Sequence, residues 1–179
     1  MPTIVHEFAW PDRLVVGTVG RPGAREFYLQ ARTKARIVTV ALEKEQSAIL
    51  AEKIDEVLDG LRSTEGNPFR VPDSPPVELV DNDPLEQPLD TQFRTGAMGL
   101  GWDPTTAEIV IEAYAIADLD PDEMGSEPIE VEPSEALLVR IPVGTARAFA
   151  KRTHEVVGAG RRSCPLCGHP MNPEGHVCP

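Results

Sequence analysis

No apolar run in this 179-residue chain approaches the roughly 18 residues that a membrane-spanning helix needs. The opening stretch, Met1 to Phe8, has neither a basic segment nor a long apolar one, so no secretory leader is expected. Cysteine is scarce: there are three, all between Cys164 and Cys178. Three thiols at one end do not make a disulfide framework, and a reducing cytoplasm suits them. Positive charge is short too. Seventeen Lys and Arg stand against 29 Asp and Glu, a net charge of −12 that a phosphate backbone would repel. No nucleophile, base and orienting group form a recognisable pattern. Spacing singles out no pair of carboxylates for acid–base work. Two glycine-rich stretches, Gly17 to Gly23 and Gly96 to Gly101, precede no helix and lack the Lys-Ser/Thr ending of a phosphate loop. They read as hairpin turns and bulges.

What is present is chemistry at the C-terminal end. Cys164-Pro-Leu-Cys167-Gly168 is a knuckle in which two intervening residues let a tight turn aim both sulfurs at one point. Gly168 permits the positive φ that such a turn often needs. Eight residues separate Cys167 from His176, with Asn172, Pro173, Glu174 and Gly175 as turn formers for the return. A structural zinc takes four Cys or His ligands at tetrahedral corners. The candidate set is Cys164, Cys167, His176 and Cys178, with His169 as the spare imidazole. His176 and Cys178 are two apart, so a local bend must bring both to one ion. Two other readings stay open: a C-x-x-C redox pair, and three ordinary thiols.

The rest of the chain reads as α+β. Strands are predicted over residues 3–10, 13–19, 25–32 and 36–42, with Phe27, Leu29 and Ala31 on one face of the third. Short links make these an antiparallel meander. A helix follows over 44–62, where Leu50, Ile54, Val57, Leu58 and Leu61 form one apolar stripe. Glu45, Glu52, Glu56 and Asp59 would line its solvated outer face. Six prolines between 63 and 90 exclude regular structure there, leaving a surface strap or a mobile loop. Further strands are predicted over 92–101, 107–117 and 135–141, with an acidic loop over 118–133. A last helix runs over 145–158, capped by Thr145. Meander plus helix therefore occurs twice, in a two-layer arrangement. The domain expectation is an α+β body over 1–158 and a zinc-binding tail over 159–179. Within the body, 1–63 and 91–158 form a possible pseudo-repeat joined by the Pro-rich link 64–90.

Charge is segregated. Between Asp73 and Glu135 the one basic residue is Arg94. From Arg140 to Arg162 the balance reverses, with Glu155 the sole acid. Arg147, Lys151 and His154 fall on one face of the last helix. Internal charge complementarity is the plainer explanation, and a docking face for an acidic partner or phosphate is the sharper one. His6 reads as a packed or surface residue, and Trp10 and Trp102 as core or rim.

Several segments together resemble a known family: Pro11-Asp-Arg-Leu-Val-Val-Gly-Thr-Val-Gly20, Phe27-Tyr-Leu-Gln-Ala-Arg32, Ala41-Leu-Glu-Lys44, Cys164-Pro-Leu-Cys-Gly168 and Gly175-His-Val-Cys-Pro179. The chain is similar over nearly its whole length to an actinobacterial family of conserved proteins of unknown function. The resemblance transfers no activity. It implies that the family's metal ligands correspond to the cysteines and His176.

These readings favour a non-enzymatic, zinc-binding protein that engages a protein partner. The first rival is an enzyme acting on an anionic small molecule, held by Arg94 or by Arg147 and Lys151 in a cleft between the two β units. The second is a nucleic-acid-binding zinc ribbon using Arg161 and Arg162, which the acidic body disfavours.

Overall fold

The computed structural model describes residues 2–117, 132–159, 164–169, 171, 175, 177 and 178. In chain order the elements are β1 (Ile4–Ala9), β2 (Arg13–Val19), β3 (Glu26–Thr33), β4 (Arg36–Leu42), α1 (Lys44–Ser63), β5 (Thr91–Asp103), β6 (Glu108–Ala115), β7 (Glu135–Pro142) and α2 (Val143–Gly158). A single 3-10 turn, Val77–Leu79, interrupts the Pro-rich segment. The strands form one seven-stranded sheet in the order β1-β7-β6-β5-β4-β3-β2. Both β2-β3-β4 and β5-β6-β7 are antiparallel, and a helix comes next in the chain each time. The α+β class, with meander plus helix occurring twice, is what alternation and helical spacing predict. The 118–131 part of the expected acidic loop lies outside the described residues.

Two expectations about the sheet are corrected. First, β1 does not pair with β2. It runs parallel to β7, with Ile4 opposite Glu135 and Ala9 opposite Arg140. Yet only Trp10, Pro11 and Asp12 separate β1 from β2, which lie at opposite ends of the strand order. Four Cα steps reach at most about 14 Å. A flat sheet would hold these strands about 29 Å apart, six spacings of about 4.8 Å. The sheet must therefore coil. Twist of about 20–25° per strand, accumulated over six steps, turns the end of β1 toward the start of β2. Arg36 ties this corner, donating to the Glu7 carbonyl at 2.8 Å while its guanidinium lies 4.2 Å from the Phe8 ring centre.

Second, the two meanders are joined into one sheet rather than standing as two separate β units. β4 and β5 pair in parallel, with Thr39 opposite Thr91 and Ala41 opposite Arg94, so the sheet is continuous there. A register shift between Thr95 and Met98 marks the bulge expected near Gly96. The start of α1 pins it: Gln46 closes a capping box on the Glu43 N–H and donates to the Thr95 and Gly96 carbonyls.

Both helices pack on one face of the sheet. Leu50, Ile54 and Leu58 of α1 are buried with Phe27, Leu29, Val40, Ile109, Ile111, Leu137 and Val139, while Val57 and Leu61 pack against them. Fully burying each such side chain is worth about 1.5–3 kcal/mol. The α2 helix begins two residues before the predicted start. Pro142 ends β7 and is also the N-cap of α2, so no linker remains for Thr145 to cap.

The Pro-rich segment is a strap rather than a loose loop. Val71 and Leu85 are buried. Asn67 brackets the Val71 backbone at 2.9 and 3.0 Å. Gln30 makes a similar pair of bonds to the Glu86 backbone at 3.1 and 2.8 Å. Asp81 accepts from Arg13 at 2.7 Å and from Arg152 at 3.3 Å. A Cβ built on Gly17 would stand 2.5 Å from Leu85 Cγ, so glycine is what allows this approach.

Candidate metal centre

The knuckle folds as its spacing demands. Residues 165–167 form a turn, and the Gly168 N–H closes it on the Cys164 carbonyl at 2.9 Å. Gly168 has φ +74°, the left-handed conformation that glycine adopts without steric cost. The Cys164 N–H donates to the His169 carbonyl at 2.8 Å, tying both sides of the turn together. The Leu166 N–H points at Cys164 Sγ from 3.4 Å. A backbone N–H aimed at sulfur favours thiolate, the form that binds metal.

Cys178 completes the cluster. The ligand atoms of Cys164, Cys167 and Cys178 all lie within 4.8 Å of one another. Cys164 Sγ and Cys178 Sγ are 3.7 Å apart. Two sulfurs about 2.3 Å from one tetrahedral zinc are separated by about 3.8 Å. A disulfide would require about 2.05 Å, and none links the three residues. Cys164 is buried and Cys178 exposed, so the cluster has an inner and an outer sulfur.

Electrostatics divide the protons unevenly. The Cys164 thiol is held below its ordinary range, first by the backbone N–H of Cys167 and then by that of Leu166. Cys178 is pushed up, first by its hydrogen bond to Cys164 and then by that to Cys167. Three sulfurs that share hydrogen bonds in this way are a set that a divalent cation can organise by displacing their protons. These three cysteines can hold a metal ion.

The candidate imidazoles fare differently. His176 lies outside the described residues. Among the described residues the gathered ligand set is the three cysteines, and His169 is not in it. Arg161 and Arg162, the basic residues of the proposed ribbon, also lie outside the described residues.

The arginines proposed for anion binding are already paired. Arg147 is not a docking residue. It is 6% exposed, donating to Asp55 and Asp59 of α1 at 2.8 Å each and to the Pro72 carbonyl at 3.0 Å. His154 reaches Asp55 at 2.9 Å, and Lys151 reaches Glu155 at 3.5 Å. Internal complementarity accounts for the basic face, and α1 supplies most of its partners. Asp59, expected among solvated acids, is one of them. Asp55 and Asp59 are one helical turn apart, a signal that sequence spacing offered. Arg94 lies beside a hollow of about 440 Å³ and pairs with Glu43 at 2.8 Å. Arg13 and Arg152 line a second hollow of about 520 Å³ and converge on Asp81, a site that the sequence reading missed.

The smaller expectations fall into place around these. His6 pairs with Glu135 at 2.9 Å. Trp10 is exposed at the sheet corner and donates to Glu108 at 2.6 Å. Trp102 meets Phe69 edge to face at 4.9 Å.

The coiled seven-stranded sheet, two helices and a thiol cluster define an α+β protein with a site suited to a metal ion. The chain belongs to the family described as "Protein of unknown function (DUF3090)", which matches residues 6–178. No curated protein and no solved structure matches the chain. No described helix is long and apolar enough to cross a membrane.

Proposed function

We propose that this chain is a zinc-stabilised adaptor that binds a protein partner. The single observation behind the metal is the convergence of three sulfurs, with a 3.7 Å separation that suits one tetrahedral ion. Zinc is favoured because it is redox-inert, accepts thiolates and imidazole, and needs no geometry beyond the tetrahedron. His176 is the fourth ligand in this reading. With four protein ligands the ion has no open position for water, so its role is structural.

The interaction role draws on what flanks the ligands. Leu166, between two cysteines, is 87% exposed, and Val177, beside Cys178, is 91% exposed. The ion would fix both apolar side chains in solvent, at little entropic cost to a partner that buries them. A reducing, cytoplasmic setting keeps the thiols available for metal.

The test is capture of partners by the full chain, with and without Cys164→Ser and Cys167→Ser. The adaptor reading expects a discrete protein partner, lost from the double variant and lost again when Leu166→Ser is made alone. A partner set that is identical for all three proteins would contradict it.

A further inference from the structure

We propose that Cys164 and Cys178 are an oxidisable pair that closes to a disulfide and thereby discharges the metal. The release step rests on the zinc reading; the pairing does not. Among the described residues these two sulfurs approach within 3.7 Å, although fourteen positions separate them in the chain. Closing to the bond length of about 2.05 Å is a short travel. The inner sulfur is anchored on both sides. The Cys164 N–H is held by His169 and its carbonyl by Gly168. The outer sulfur of Cys178 is exposed to reagents. An exposed thiol beside a buried one is the arrangement in which the first meets an oxidant and the second resolves it.

The oxidant class is a hydroperoxide. The Cys178 sulfur attacks one peroxide oxygen, the O–O bond breaks, and the thiol proton leaves with the departing hydroxide as one water. Cys178 becomes a sulfenic acid. The Cys164 sulfur then attacks the Cys178 sulfur, the S–O bond breaks, and the departing hydroxide takes up a proton as a second water. Two thiols and one hydrogen peroxide give one disulfide and two waters. Two electrons pass from sulfur to oxygen. A disulfide is a poor zinc ligand, so a zinc ion held there would lose two of its ligands and would be released as Zn²⁺ without changing oxidation state. A dithiol reductant reverses the bridge by exchange.

The experiment treats the full chain with hydrogen peroxide, once as purified and once stripped by a chelator. Unreduced peptides are then mapped by mass spectrometry, and released zinc is read with a chromogenic chelator. The expected result is an intramolecular Cys164–Cys178 bridge in both samples, removed by dithiothreitol and still formed in the Cys167→Ser variant. Zinc leaves the untreated-metal sample in step with the bridge. A dominant Cys164–Cys167 bridge, bridges between chains, or sulfinic and sulfonic acids without a bridge would overturn the pairing. Bridge formation in protein that never contained zinc would sustain the pairing and remove the metal reading alone.

Discussion

Arg147 of α2 and Asp55 of α1 meet at 2.8 Å and tie the two helices together. The same guanidinium reaches Asp59 one turn along α1, so it spans two carboxylates and the strap carbonyl of Pro72 at once. Removing one side of such a buried arrangement leaves groups that were ordered around it without partners.

Arg147→Ala is therefore expected to lower unfolding stability by about 2–3 kcal/mol, discounted from a fully buried pair because the carboxylates regain water. Urea unfolding measures it. Asp55→Asn made with Arg147→Met should recover part of the loss, since the less exposed of the two carboxylates is then no longer left as an unpaired charge. A loss within measurement error for Arg147→Ala would mean that the helices are held by apolar packing alone.

Asp81 predicts a pH dependence. Its carboxyl is held below the usual 3.8, first by the Arg13 hydrogen bond, with the Asp83 N–H and the Arg152 charge adding to the effect. A carboxylate whose folded pKa is depressed stabilises the fold above its unfolded pKa, and that stability is lost as pH falls through the folded value. Asp81→Asn should cost about 2 kcal/mol at neutral pH. The gap between variant and parent should close as pH drops below about 4. Urea midpoints over a pH series give the comparison, and a gap that is constant with pH would contradict the assignment.

Gly17 predicts a steric cost. Gly17→Ala places a methyl group where Leu85 now packs, and overpacking of this kind costs about 1–3 kcal/mol. The damage should be local, raising protease cleavage in the strap between residues 64 and 90. Trimming the opposing side chain with Leu85→Ala should suppress the added effect of Gly17→Ala, and full additivity of the two changes would argue against contact.

Much of this architecture was legible from residue order. Phe27, Leu29 and Ala31 alternate because one face of β3 is buried, and Leu50, Ile54 and Leu58 recur because one side of α1 is. The partner of β1 was not legible. A three-residue link reads as a hairpin, and only the twist accumulated across seven strands moves β1 to the far end of the sheet. The path of the strap was hidden for a different reason. Side-chain bonds to backbone hold it, such as Arg152 to the Val16 carbonyl and Gln30 to Glu86, and these have no periodicity. The basic face of α2 and its internal neutralisation were visible, but not which acids it meets, because Asp55 and Asp59 sit on an element that is distant in sequence. At the C-terminal end, spacing named Cys164, Cys167 and Cys178 as one set, and the ligand atoms of these three lie within 4.8 Å of one another.

Metal content tests the central claim most directly. Elemental analysis of freshly purified full-length protein is expected to find about one zinc per chain, and none after Cys164→Ser and Cys167→Ser are combined. The combined variant should keep the folded α+β body, as judged by circular dichroism and urea unfolding. Purified parent protein with no stoichiometric metal, or a double variant that retains it, would contradict the account.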